Sequence, residues 1–247
     1  MSLPVGSAQR HECKYVITES EALRISAEVR PFVRPDPHAA GRPGHTYPIS
    51  SLYLDGGGFP LYHETVEGKK DRFKLRVRAY SDRPEDPVFL EIKRRANGVV
   101  RKTRCKVPRA LLPALLSGRT AALAEVPGAG RPAAQEFVAL LLRTQARPTV
   151  LVRYDREAYV GLDDTETRVT FDRHLRVLRT ERPEVLVDAP GFAVVQDHRV
   201  VLELKFNHRC PNWMQHLIQG HGLRRTSFSK YCHSLNRAAA PQRLVTH

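Results

Sequence analysis

Three stretches of this chain carry charge at alternate positions. In residues 74–78, Lys74, Arg76 and Arg78 alternate with Leu75 and Val77. In 90–95, Glu91, Lys93 and Arg95 oppose Leu90 and Ile92, and in 202–206, Glu203 and Lys205 oppose Leu202, Leu204 and Phe206. Side chains on a β-strand point alternately to its two faces, so each stretch places its charges on one face and its apolar residues on the other. Lys102, Arg104 and Lys106 repeat the pattern, as do Arg168, Thr170 and Asp172, and Tyr154 shares a face with Arg156. Gathered cations of this kind cradle phosphate oxygens, and a carboxylate among them, Glu203 with Glu12 or Glu91, suits a divalent cation. Phosphoryl transfer or hydrolysis asks a protein mainly for positioning and charge neutralisation, which such a site supplies.

One amphipathic strand with a solvated face is ordinary. Several such strands beside helices with apolar faces are less so. Strands are expected at 46–54, 73–80, 87–95, 98–107, 148–160, 167–179 and 199–207, each bounded by Gly, Pro, Asp or Asn, with an eighth at 11–17. Asn97-Gly98 reads as a hairpin turn, so the sheet is expected to be largely antiparallel. Thr18 and Glu21 form a capping-box pattern opening a helix over about 19–33. Pro108, Pro132 and Pro211 each stand where a first helical turn begins, and a last helix is expected from Ser229 to about Ala239. The apolar faces of helices 132–145 and 211–219 need a surface to cover, and the apolar strand faces provide it. The expected fold is therefore α+β, with a barrel or a strongly curved sheet; if the sheet closes, the charged faces line its interior and the helices pack outside. Crowded like charges in such an interior require water and a bound anion.

Composition agrees with an anionic partner. The 247 residues include 40 Lys plus Arg against 26 Asp plus Glu, a formal net charge of +14. Cys13, Cys105, Cys210 and Cys232 show no CxxC pair and read as thiols of a reducing compartment. No apolar run approaches the roughly 18 to 20 residues of a membrane-spanning helix. The N-terminal MSLPVGSAQRHECKYVI lacks the features of a secretion signal, so a cytoplasmic location is expected. Without repeats or a convincing linker, residues 1–247 are expected to form a single domain.

HECKYVI at 11–17, SLYLD at 51–55, EGKKDRFKLRVR at 67–78, FLEIKRR at 89–95, YDREAY at 154–159, RVTFD at 168–172, VLELKFN at 201–207 and SFSKY at 227–231 together resemble the VTC (polyphosphate polymerase) domain of the triphosphate tunnel metalloenzyme, or CYTH-like, superfamily. The resemblance runs from about residue 10 to residue 237 in one order. It implies an α+β fold with a closed, antiparallel, eight-stranded β tunnel or barrel, a polar basic interior and helices packed outside, together with ATP as phosphoryl donor, a divalent cation such as manganese or magnesium, and inorganic polyphosphate as product. Position by position, Lys14, Arg76, Arg78, Lys93, Arg156 and Lys230 fall on the family's phosphate-binding residues. Arg76, Arg78, Lys93 and Arg156 are thereby expected to hold the reacting triphosphate, with Lys14 and Lys230 at its ends. Glu203 falls on the metal-binding glutamate. Lys205 joins the set by sharing the parity of Glu203, and Tyr154 by standing beside Arg156 in the YxR pattern. Of the superfamily's N-terminal ExExK strand, Glu12 and Lys14 remain and Arg10 replaces the first Glu, which implies one metal held mainly by Glu203.

Two other functions use the same residues: a triphosphatase that admits water to the terminal phosphate, and a non-catalytic polyphosphate- or nucleic-acid-binding module, for which net charge alone suffices. Nucleic acid is not the expected partner, since no RNA-binding aromatic pair is recognisable and Trp213 and Phe228 read as packing anchors. The glycines at 56–58 and Gly68-Lys69-Lys70 lack P-loop spacing and read as turns. His208, Cys210 and His216 lack a fourth zinc ligand.

Overall fold

A computed structural model describes residues 10–97, 99–195 and 198–239. Residues 1–9 of the N-terminal stretch read for a targeting signal, and Gly98 of the hairpin turn, lie outside the described residues. Asn97, the other turn residue, takes the left-handed backbone, φ 47°, that a tight hairpin turn favours. In chain order the elements are β1 (Arg10–Thr18), α1 (Glu19–Val29), β2 (Val33–Pro35), β3 (Thr46–Asp55), α2 (Pro60–Val66), β4 (Arg72–Ala79), β5 (Val88–Ala96), β6 (Val99–Val107), α3 (Leu112–Leu116), α4 (Arg131–Arg143), β7 (Arg147–Gly161), β8 (Arg168–Arg179), β9 (Ala193–Val194), β10 (Arg199–Asn207), α5 (Asn212–Gly220) and α6 (Lys230–Ala239).

Eight strands hydrogen-bond in the order β1-β10-β8-β7-β3-β4-β5-β6, with β2 added on β7 and β9 on β8. The ladders of β1 with β10, β10 with β8, and β3 through β6 are antiparallel, so the α+β antiparallel expectation holds. Closure does not. Among the described residues the strand order ends at β1 and at β6. The sequence of β6 explains its role as an end: Val99 to Lys102, Arg104 and Lys106 are exposed, and exposed cations discourage a further strand from pairing.

The chain packs as two compact units, each assembled from three stretches. The first comprises the described residues of Met1–Tyr47, Asp155–His174 and Gln196–Phe228; the second, those of Pro48–Tyr154, Leu175–Val195 and Ser229–His247. In the first, Tyr15 and Ile17 of β1, Leu202, Leu204 and Phe206 of β10, and Val169 and Phe171 of β8 pack against Ala22, Ile25 and Val29 of α1 and Met214 and Leu217 of α5. In the second, Leu52 and Leu54 of β3, Leu75 and Val77 of β4, Leu90 and Ile92 of β5 and Cys105 and Val107 of β6 meet Leu112 and Leu115 of α3 and Phe137, Val138 and Leu141 of α4. Each fully buried aliphatic side chain contributes about 1.5–3 kcal/mol. Within each unit, the apolar parity of the strands lies under helices and the charged parity takes the other face, as alternation requires.

Local signals account for most helix ends. Thr18 caps α1: its hydroxyl accepts from the Glu21 amide at 3.3 Å while its own amide donates to Glu21 Oε2 at 2.7 Å. That amide, then the Thr18 hydroxyl, holds the Glu21 carboxyl below its usual range. The helix is shorter than the expected 19–33 because Pro31 has no amide proton to donate to the helical ladder. Arg30–Phe32 tighten into a 3-10 turn, and Val33–Pro35 pair with β7 instead. The expectation also missed α2, which opens at Pro60 directly after the 56–58 glycine turn.

Candidate phosphate-binding site

In the second unit, register aligns the charged side chains across four strands. Tyr53 stands opposite Arg76, Arg76 opposite Glu91, and Glu91 opposite Arg104. One row along, Lys74, Lys93 and Lys102 are consecutive cross-strand partners. Glu91 is 0% exposed and lies at the centre. Its Oε2 accepts from Arg76 Nε at 2.6 Å and lies 2.6 Å from Arg76 Nη2 and 4.0 Å from Arg78 Nε. Its Oε1 lies 2.7 Å from Lys102 Nζ and 3.4 Å from Arg104 Nε. Arg76 also donates to the Tyr53 hydroxyl at 3.2 Å, and Arg78 to Ser51 Oγ at 3.3 Å and the Tyr154 hydroxyl at 3.4 Å. Tyr154 carries the Lys230 ammonium 4.8 Å above its ring, a cation–π contact.

Four cations around one buried carboxylate leave the cluster strongly positive, and the ionisation of its members reflects this. Burial favours a neutral Glu91, but Arg76, Arg78 and Lys102 outweigh it and hold the carboxyl far below its usual range. Loss of hydration at the ammonium, which lies 2.7 Å from Glu91 Oε1, pushes Lys102 down to about 8, and the repulsion of Arg76 and Arg78 adds to this against the attraction of Glu91. The Arg76 guanidinium is held in the charged state because Glu91 and Tyr53 outweigh its burial.

The first unit holds a second cluster of different balance. Glu203 Oε1 lies 3.5 Å from Lys14 Nζ, and Oε2 lies 2.7 Å from Lys205 Nζ and 3.4 Å from Arg156 Nη2. Arg156 forks onto Asp172, Nε to Oδ1 at 2.6 Å and Nη2 to Oδ2 at 2.7 Å, the bidentate geometry favoured between guanidinium and carboxylate. Lys14 also reaches Glu12 Oε1 at 3.3 Å and donates to the Phe228 carbonyl at 3.1 Å. Lys14, Arg156 and Lys205 thus meet Glu12, Asp172 and Glu203, three cations against three carboxylates. The stronger attraction for a free anion therefore belongs to the face of β4, β5 and β6.

Of the residues expected from the sequence, Arg76, Arg78, Lys93, Tyr154 and Lys230 fall in the second unit and Glu12, Lys14, Arg156, Glu203 and Lys205 in the first. Sequence reasoning left Lys102, Arg104 and Asp172 on charged faces without a role, and it missed Tyr53. The signal for Lys102 and Arg104 was their shared parity, which becomes meaningful once register sets them against Lys93 and Glu91. Trp213 stacks on Phe32 at 5.0 Å, a packing role as expected. Among the described residues no group of three His, Cys, Asp or Glu side chains is placed to hold a metal. Glu91 is enclosed by cations and suits none. Glu203 and Glu12, each within 3.5 Å of Lys14 Nζ, would suit only the weaker arrangement in which one or two carboxylates meet a cation arriving on substrate phosphates. No helix among the described residues is long and apolar enough to cross a membrane.

Antiparallel strands with a helical coat on one side and a fixed arginine–carboxylate array on the other describe a fold built to present cations on a sheet. The family model for the VTC domain matches residues 9–238, and the chain belongs to that family. Two solved structures share the fold. One is a putative adenylate cyclase from Bacillus halodurans, 10% identical, with a TM-score of 0.51 over 90% of this chain and 95% of that one. The other is the putative adenylyl cyclase HpAC1 from Hippeastrum, described as having a dominant triphosphatase activity, 14% identical, with a TM-score of 0.52 over 92% of this chain and 95% of that one. No curated protein matches the chain.

Proposed function

We propose that this chain is an ATP-dependent polyphosphate polymerase. The bond between the γ-phosphorus of ATP and its bridging oxygen breaks, ADP leaves, and a terminal oxygen of the growing polyphosphate takes its place. The observation that carries the reading is the set of four cations, Arg76, Arg78, Lys102 and Arg104, fixed around the single buried carboxylate of Glu91. One carboxylate leaves that charge mostly uncompensated, and a row of phosphates compensates it. Guanidinium groups already held by Glu91, Tyr53, Ser51 and Tyr154 need no reorganisation as charge shifts on the transferred phosphoryl group.

In this reading Arg76, Arg78, Lys93 and Arg156 hold the triphosphate, Lys14 and Lys230 grip its ends, and Tyr154 and Lys205 set the positions of their charged neighbours. A divalent cation, manganese or magnesium, bound by Glu203 and Glu12 would neutralise phosphate charge. Membership of the VTC domain family supports polymer formation over hydrolysis. The test is incubation of the purified protein with ATP and manganese, with products separated by gel electrophoresis. A ladder of long anionic polymer is expected, reduced at least tenfold by Glu203→Gln, on the scale of losses from removing a charge-stabilising group. Orthophosphate alone overturns the polymerase in favour of a triphosphatase. Salt-sensitive binding of polyphosphate without turnover, unchanged in Glu203→Gln, leaves only a binding module.

A further inference from the structure

Beyond Arg78 the charged face of the second unit becomes aromatic. Phe89, half-buried, stands opposite Arg78 on β4 and Lys106 on β6. The Arg104 guanidinium carbon lies 3.8 Å from the centre of the Phe89 ring. Arg104 Nη2 donates to the Tyr80 hydroxyl at 3.0 Å, and Nε lies 3.4 Å from Glu91 Oε1. Tyr80 in turn meets Phe89 edge-on, with ring centres 5.7 Å apart and planes at 76°. A ring, a hydroxyl and a carboxylate therefore hold this guanidinium in place, yet 37% of the side chain remains open to solvent. Long surface side chains ordinarily keep their rotamer freedom, and Arg104 has given it up without being buried.

We propose that Arg104, backed by Phe89, is the platform on which the base of a nucleoside triphosphate stacks. The inference rests on the reading that Arg76 and Arg78 hold the triphosphate. A planar guanidinium stacks on the π-face of a base as well as on a protein ring, and one restrained beforehand loses little entropy when it does so. Glu91 supplies the placement: the same carboxylate that lies 2.6 Å from Arg76 lies 3.4 Å from Arg104, so phosphate cradle and platform are neighbours on one face. The platform also assigns a substrate class. A nucleotide gains from stacking, whereas bare tripolyphosphate, with no aromatic part, does not.

The test compares equilibrium binding of ATP and of inorganic tripolyphosphate to the full chain by calorimetry, in wild type and in Phe89→Leu, which removes the backing ring and leaves every charge of the cluster in place. The ATP dissociation constant is expected to rise about threefold or more while that for tripolyphosphate stays within about twofold, as release of a restrained stacking group requires. Arg104→Lys, which keeps the charge and removes the planar surface, is expected to weaken ATP binding about fivefold or more beyond any change in tripolyphosphate binding. Equal weakening of both ligands in either variant, or unchanged ATP binding in Arg104→Lys, overturns the platform. Retained tripolyphosphate binding doubles as the proof that the variant folds. The binding ratio judges the platform and the product assay judges the polymerase, so either can fail while the other stands.

Discussion

The phenol of Tyr231 donates a 2.6 Å hydrogen bond to Asp55 Oδ2, joining the first turn of α6 to the segment that opens α2. Asp55 also accepts from the amides of Gly56 at 2.8 Å, Leu61 at 3.0 Å and Tyr62 at 2.9 Å. It therefore satisfies amides of the first turn of α2 that have no partner within the helix. The Tyr231 ring stacks on Tyr53 at 4.9 Å, the residue whose hydroxyl contacts Arg76. With Tyr231 clamped on both sides, its neighbour Lys230 is held over Tyr154. A carboxylate in a glycine-rich turn thus fixes the position of a cation at the other end of the sequence.

Replacing Tyr231 by Phe deletes one hydrogen bond to a charged acceptor and should cost about 1.5–3 kcal/mol in urea unfolding. ATP binding should weaken as well, because Lys230 loses its anchor. Burial, then Asp55, pushes the phenol well above its ordinary value. With a folded value above the unfolded one of about 10, its contribution is complete below about pH 10 and is lost as pH rises further. The stability gap between wild type and Tyr231→Phe should therefore narrow in alkali.

Glu91→Gln leaves the half-buried Arg76 and the buried Arg78 without their carboxylate. Breaking a buried ion pair in this one-sided way should cost about 3–5 kcal/mol, measured by denaturant unfolding at neutral pH. The carboxyl is depressed in the folded state, so its contribution is present above the unfolded value of about 4.3 and disappears as pH falls below it. Wild type and Glu91→Gln should converge in stability in strong acid. A gap that persists there would mean that packing, rather than charge, is what the substitution removes.

The Lys102 ammonium is pushed down to about 8 in the free protein. A bound polyanion favours the ammonium form, so binding at pH 8 should take up a proton at this site. Calorimetry of tripolyphosphate binding at pH 8, in buffers of different ionisation enthalpy, should reveal that uptake, and Lys102→Met should reduce it. Affinity should decline as pH rises from 7 to 9, less steeply in Lys102→Met.

Gly161 closes β7 and donates its amide to the Thr167 carbonyl at 2.9 Å. A Cβ there would stand 2.4 Å from the Asp164 carbonyl oxygen, a backbone atom that cannot swing aside. Gly161→Ala should destabilise the protein by about 1–3 kcal/mol, read as a lower denaturant midpoint.

Strand positions, helix α1 with its cap, α4 and the assignment of each strand residue to a charged or an apolar face were legible in the sequence. All of these follow from backbone periodicity, side-chain alternation and interactions within a few residues. Helix α2 was not legible, because the acceptor for its first amides is the side chain of Asp55, which the local pattern presented as part of a glycine turn. The open ends of the strand order, the choice of Glu91 as the shared partner of Arg76, Lys102 and Arg104, and the balance of Lys14, Arg156 and Lys205 by Glu12, Asp172 and Glu203 were decided only by tertiary structure. Alternation states which face a charge occupies, but the partner it meets there depends on the register of strands distant in sequence, and register is set by the packing of the whole sheet.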